Sequence, residues 1–134
     1  MKECLEDKLY KDYPKIFVQH SLPMTQTCMN WGCECGDGWE PIIRALCSYI
    51  QSYVDLNNKP QVEFTQVKEK FGGLRIYCEG SNEYIEGMIS FAENEGYRTC
   101  EDCGTKEHVT VNKNGWIMTL CDKCRKEYWE KRGV

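Results

Sequence analysis

Residues 66–77 read QVKEKFGGLRIY. A Gly-Gly pair between two runs of alternating apolar and polar residues signals a tight β-hairpin. With Gly72-Gly73 as a two-residue turn, Phe71 pairs with Leu74, Lys70 with Arg75, Glu69 with Ile76, Lys68 with Tyr77 and Val67 with Cys78. Side chains alternate across a sheet. One face therefore carries Val67, Phe71, Leu74, Ile76 and Cys78 and suits a core, with Glu69 as a misfit expected at the rim or beside a basic group. The other face gathers Gln66, Lys68, Lys70, Arg75 and Tyr77. The strands extend over 61–70 and 74–79.

Outward from the hairpin, two helices flank it. Trp39, Ile42, Ile43, Leu46, Tyr49, Ile50 and Tyr53 recur at helical spacing and predict a helix over 39–55, with Asp37 as a candidate cap and Pro41 in the first turn. Tyr84, Ile85, Met88, Ile89 and Ala92 predict a second over 82–95, with Ser81 as its cap and Gly96 as its stop. Residues 1–17 form a short amphipathic segment with Leu5, Leu9 and Tyr10 on one side. Residues 18–38 are a long connection rich in Cys and Gly, a pattern that is functional or metal-tied more often than idle.

Beyond Gly96 the chain changes character. Cys100, Cys103, Cys121 and Cys124 form C-x2-C-x17-C-x2-C, a spacing typical of zinc sites built from two cysteine pairs. A tight turn aims two cysteines at one point, Gly104 lets the chain fold back, and the second pair sits where a last helix begins. Between the pairs lies a second hairpin with Asn114-Gly115 at its tip. Turn, hairpin and helix in this order make a treble-clef-like module. Four thiolates leave no open coordination position, so the expected zinc is structural. The frame resembles the outer zinc knuckle of HNH nucleases, but the 17-residue gap holds one histidine, His108, and lacks their catalytic segment.

Composition bounds the alternatives. The 134 residues include 10 Cys and 16 aromatics, which argues against disorder. No apolar run reaches the ~20 residues of a membrane span. The segment MKECLEDKLYKDYPK is not a secretory signal, so a reducing, cytoplasmic setting is expected, where cysteines serve as ligands or buried thiols. Net charge is −4; residues 1–96 carry 9 Lys+Arg against 15 Asp+Glu, and residues 97–134 carry 8 against 6. An acidic chain does not hold long nucleic acid through its overall field. Any anion must meet a local cluster.

The cationic hairpin face is such a cluster. Directly opposed Lys70 and Arg75 repel unless something intervenes. Exposed cations on many hairpins are simply solvated, but three of them beside a Tyr in an acidic half are suited to a phosphate with a base stacked on Tyr77. Asp37 and Trp39 are expected nearby. Cys28, Cys33, Cys35 and Cys47, with His20, are the candidates for a second metal, at an irregular spacing that argues against one. A Cys35–His20 catalytic pair lacks anything to fix its geometry. Cys4 and Cys78 suit packing, and Trp31 and Trp39 suit the core.

Three stretches, PMTQTCMNWGCECGDGW (23–39), QVKEKFGGLRIY and TCEDCG…GWIMTLCDKC (99–124), together resemble an uncharacterised family of small phage and prophage proteins. The resemblance implies a phage-encoded protein acting in a bacterial cytoplasm, and accessory proteins of this kind often counter host defence. Cys33 stands where a bulky apolar residue is expected.

The sequence therefore predicts an α+β fold: a small antiparallel sheet or hairpin with two packed helices (1–96) and a treble-clef-like zinc module (97–134) packed as one unit. The expected function is non-enzymatic capture of a small phosphate-bearing nucleotide, such as a host immune signal, by Lys68, Lys70, Arg75, Tyr77, Asp37 and Trp39. The alternative is an adaptor or inhibitor built on the zinc module, binding a host protein or nucleic acid through Lys123, Arg125, Lys126, Lys131 and Arg132. A homo-oligomer is compatible with either.

Overall fold

The computed structural model describes residues 1–133. Its regular elements are α1 (Glu3–Asp12), β1 (Cys33–Glu34), α2 (Glu40–Leu56), β2 (Glu63–Lys70), β3 (Gly73–Glu79), α3 (Glu83–Gly96), β4 (Val109–Val111), β5 (Thr119–Cys121) and α4 (Asp122–Lys131). The fold is α+β. No helix among the described residues is long and apolar enough to cross a membrane.

β2 and β3 form the expected antiparallel hairpin in a different register. Lys70 lies opposite Gly73, Glu69 opposite Leu74, Lys68 opposite Arg75, Val67 opposite Ile76 and Gln66 opposite Tyr77. The turn is Phe71-Gly72, both at positive φ (53° and 79°), as a two-residue turn matching strand twist requires. Each pairing has moved by two positions from the expected one. Because the side-chain period is 2, the strand faces keep their membership. Phe71 alone leaves the core face and is exposed. Glu69 also finds a different partner: its carboxylate accepts the Gly72 N–H at 2.8 Å and closes the turn.

Residues 18–38 supply an element that periodicity could not show. Cys33 and Glu34 pair in parallel with Val67 and Lys68, making the order β1-β2-β3. The outer edge of β3 is covered too: the Ile76 N–H donates to the Glu93 carboxylate of α3 at 2.9 Å. A covered edge does not template pairing with another chain.

α2 starts from a 3-10 turn at Asp37–Trp39, and its N-cap position is Trp39, with no side-chain cap. α3 is capped by Asn82, whose side chain accepts the Ile85 N–H, and not by Ser81. The core joins Leu9 of α1, Phe17, Trp39, Ile43 and Ile50 of α2, Phe64, Val67, Leu74 and Ile76 of the sheet, and Ile85 and Ile89 of α3. Several residues of the expected stripes miss it. Tyr49 and Tyr84 are exposed, as are Trp31 and Cys4. The sheet covers only part of each helix, so the outer flank of each apolar stripe meets solvent.

The segment after Gly96 folds around a second, small cluster of Cys100, Met118, Leu120, Cys121 and Cys124. It docks on the first core through backbone contacts. The Gly38 N–H donates to the Glu101 carbonyl at 2.7 Å, the Gly36 N–H to the Glu101 carboxylate at 2.9 Å, and the Trp39 indole N–H to the Thr99 carbonyl at 2.9 Å. At the other end the Thr119 hydroxyl donates to the Gly72 carbonyl at 2.6 Å. A side chain at Gly38 has no room, since a Cβ there would stand 2.6 Å from the Gly104 nitrogen.

Phe71 is a non-glycine residue in the left-handed region with an exposed ring. Asn is the better occupant of that turn position. Phe71→Asn is expected to raise the midpoint of urea unfolding by the equivalent of up to about 1 kcal/mol, with an unchanged denaturant slope.

Candidate metal centre and cationic sheet face

Two local structures build the thiol cluster. The first is the turn 100–104, closed by the Gly104 N–H on the Cys100 carbonyl at 2.9 Å, with Gly104 at φ 83°. The second is the start of α4, where Cys121 occupies the N-cap position and its sulfur accepts the Cys124 N–H at 3.4 Å. The first pair repeats this arrangement, with the Cys103 N–H directed at the Cys100 sulfur at 3.5 Å. Amide donors of this kind favour thiolate charge. β4 and β5 hold the two turns face to face.

The four sulfurs of Cys100, Cys103, Cys121 and Cys124 lie within 4.8 Å of one another, and those of Cys103 and Cys121 are 3.8 Å apart. Four sulfurs at about 2.3 Å from a tetrahedral zinc stand about 3.8 Å apart, so the spacing fits. Burial and the neighbouring sulfurs push the Cys124 thiol up, while the Cys124 N–H and the other thiols lower Cys121. The group can hold one metal ion and is compatible with structural zinc. Its donors close the site.

Among the described residues no other such ligand group occurs. Cys33, Cys35 and Cys47 are buried in the main core, Cys28 is exposed, and His20 stacks on Tyr10 with ring centroids 4.2 Å apart. Burial pushes Cys33 up to about 12 and raises Cys35 and Cys47 as well, which is the state of inert packing thiols.

The residues expected to bind an anion separate into two groups. Lys68, Lys70, Arg75 and Tyr77 share one sheet face, with Lys70 and Tyr77 exposed and the other two half-buried. Asp37 and Trp39 are elsewhere. Trp39 is completely buried with its indole N–H satisfied, and Asp37 accepts the Lys2 backbone N–H at 2.8 Å. The amides of Gly36 and Gly38, which a glycine-rich turn can present to an anion, are spent on Glu101. The expected placing of Asp37 and Trp39 beside the ligand is therefore corrected: that turn is a docking point for the cysteine module.

The like-charge pair on the hairpin is Lys68–Arg75, not Lys70–Arg75. Arg75 is held in place, donating to the Tyr97 hydroxyl at 2.9 Å and to the Leu74 carbonyl at 2.9 Å. Tyr97 was not legible as a site residue, because only the path of the chain after α3 brings it to β3. Glu34 of β1 lies opposite Lys68 in the register. Among the described residues, however, no ion pair joins Lys68, Lys70 or Arg75 to a carboxylate.

Of the basic residues on and just after α4, three are engaged within the module, while Lys123 and Lys131 are exposed with no ion pair among the described residues. Arg125 donates to the Thr110 carbonyl at 2.6 Å and the Asn112 side chain at 3.1 Å, inside the module. Arg132 lies 3.7 Å above the Tyr128 ring, and Lys126 pairs with Glu130 at 3.9 Å.

Comparison with family models, with curated proteins and with solved structures finds no match to the chain.

Exposure orders the reactivity of the thiols. In folded protein at pH 8, iodoacetamide is expected to modify Cys4 and Cys28 within minutes and to spare Cys33, Cys35 and Cys47 until denaturant is added. Peptide mapping by mass spectrometry gives the order, and early labelling of Cys35 would contradict the packing described.

Proposed function

We propose that the chain is a non-enzymatic binding protein, stabilised by one zinc ion on Cys100, Cys103, Cys121 and Cys124, that holds a small phosphate-bearing nucleotide on the Lys68–Arg75 face of its sheet. One contrast carries the reading. The hairpin contains two directly opposed like-charge pairs, Glu63–Glu79 and Lys68–Arg75. The protein bridges the first itself: the Gln19 amide donates to Glu63 at 3.1 Å and to Glu79 at 3.3 Å. Among the described residues, nothing bridges the second with negative charge. A phosphate does so, with a guanidinium already positioned by Tyr97 and two ammonium groups beside it. Tyr77, two residues along the same strand face, offers an exposed ring for a base.

The resemblance to phage and prophage proteins supports a narrower version, in which the protein works in the bacterial cytoplasm and sequesters a nucleotide immune signal of the host.

Isothermal titration with a panel of cyclic dinucleotides and ADP-ribose-type nucleotides tests the reading. Binding is expected for at least one member. Lys68→Ala is expected to weaken it by about tenfold or more, the worth of one charge-assisted hydrogen bond, and Tyr77→Ala by a similar factor. Silence across the panel overturns the function; binding indifferent to Lys68, Lys70 and Arg75 overturns the site.

The metal has its own test. Protein purified without chelator is expected to carry one zinc per chain by elemental analysis. Cobalt substitution should give the visible absorption of a tetrahedral thiolate site, and Cys121→Ser should lose it.

A further inference from the structure

Phe71 is the one residue of the hairpin that the fold does not ask for. It stands at positive φ, its ring is 70% exposed, and Asn suits its turn position better. A bulky side chain held in the left-handed region without a packing role points to a use outside the fold. The ring borders the cationic face, since the Lys70 ammonium lies 5.8 Å from its centroid. That distance is at the limit of a cation–π contact, which contributes little at an exposed site. The ring stays open to a ligand.

The face therefore has an aromatic ring toward each end. Tyr77, which is exposed, stands opposite Gln66. Lys68 and Arg75 form the next row of the same face, and Lys70 and Gly73 the row after, directly beside Phe71. Four residues of β3 separate Tyr77 from Gly73, a span of about 14 Å. A single base cannot cover both rings: stacked on Tyr77, it leaves Phe71 bare. The order along the face is ring, cations, ring, and the matching order in a ligand is base, phosphate, base.

The strip is also short. Two residues beyond Tyr77 on the same strand face, the Glu63–Glu79 pair puts negative charge across the sheet, and at the other end the strip stops at the turn. A longer chain of phosphates would run onto those carboxylates. Stacking accepts any base, because every base has a π-face, so the two rings set the number of bases and not their identity.

We infer that the ligand class of this face is a dinucleotide, with one base on Tyr77, the second on Phe71, and phosphate between them on Lys68, Lys70 and Arg75. The inference rests on the nucleotide reading above and narrows it from phosphate-bearing nucleotides in general to those with two bases.

The test titrates the full zinc-loaded chain with two two-base probes, cyclic di-AMP and 5′-phosphorylated diadenylate, and two one-base probes, AMP and ADP-ribose. At least one two-base probe is expected to bind about tenfold or more tighter than either one-base probe, the worth of a second base–aromatic stack. Phe71→Asn is expected to weaken that probe by about tenfold, to leave ADP-ribose unchanged, and not to lower the melting temperature, so lost binding is not lost folding. Phe71→Tyr keeps a ring and is expected to keep the affinity. Tyr77→Ala is expected to weaken both classes. ADP-ribose binding as tightly as the two-base probes, or two-base affinity indifferent to Phe71→Asn, overturns the inference. If ADP-ribose binding still depends on Lys68 and Tyr77 in that case, the nucleotide reading stands and only its two-base form fails. No binding of any probe overturns both.

Discussion

The contact between residues 36–39 and the first cysteine turn is the joint on which the molecule depends. Two amides and one indole N–H meet the Glu101 backbone and carboxylate and the Thr99 carbonyl. Backbone can approach backbone this closely only because Gly38 has no side chain. The joint starts α2 at a defined angle, buries Trp39, and seats the metal module against the hairpin turn. Satisfying these groups internally is a requirement of burial, since an unpaired buried amide costs as much as a lost hydrogen bond. The 3-10 turn that begins α2 and the cysteine turn are, in effect, one structural element made of two distant pieces of chain.

That joint separates the surfaces of the molecule. The thiol cluster lies at the centre of its own module, where four sulfurs within 4.8 Å of one another can hold one metal ion. The sheet keeps one face for the core and turns its cations outward on the other. The helices α2 and α3 cover the core face and leave their own outer flanks uncovered. The cations of α4 are divided: Arg125 is spent on carbonyls inside the module and Lys126 pairs with Glu130, while Lys123 and Lys131 face solvent.

Much of this was legible in the sequence. The cysteine spacing placed all four candidate ligands, because short-range turn geometry alone decides where two cysteines three residues apart can point. The helices were placed within one or two residues by apolar periodicity. The hairpin faces were assigned correctly even though the register was not, because a slip of two residues leaves alternation intact. The turn itself was misplaced because a Gly-Gly pair marks positive φ at its strongest formers, whereas here the neighbouring Phe71 takes one of the two positions. Residues 18–38 resisted reading because a two-residue parallel strand has no period to detect.

By itself, the sequence determined the α+β class, the identity of the thiol cluster and the membership of the cationic face. Each of these follows from local spacing or from alternation along one segment. Tertiary structure alone decided that Trp39 and the glycine turn serve the joint and not a ligand, that Arg75 is held by Tyr97, and that the Glu63–Glu79 pair is bridged by Gln19 while Lys68–Arg75 is not. It also decided which part of each apolar helix stripe lies against the sheet and which is left as a groove. The physical reason is the same throughout. Periodicity says which side chains share a face, but how much of that face is covered depends on the width and position of elements far away in the chain.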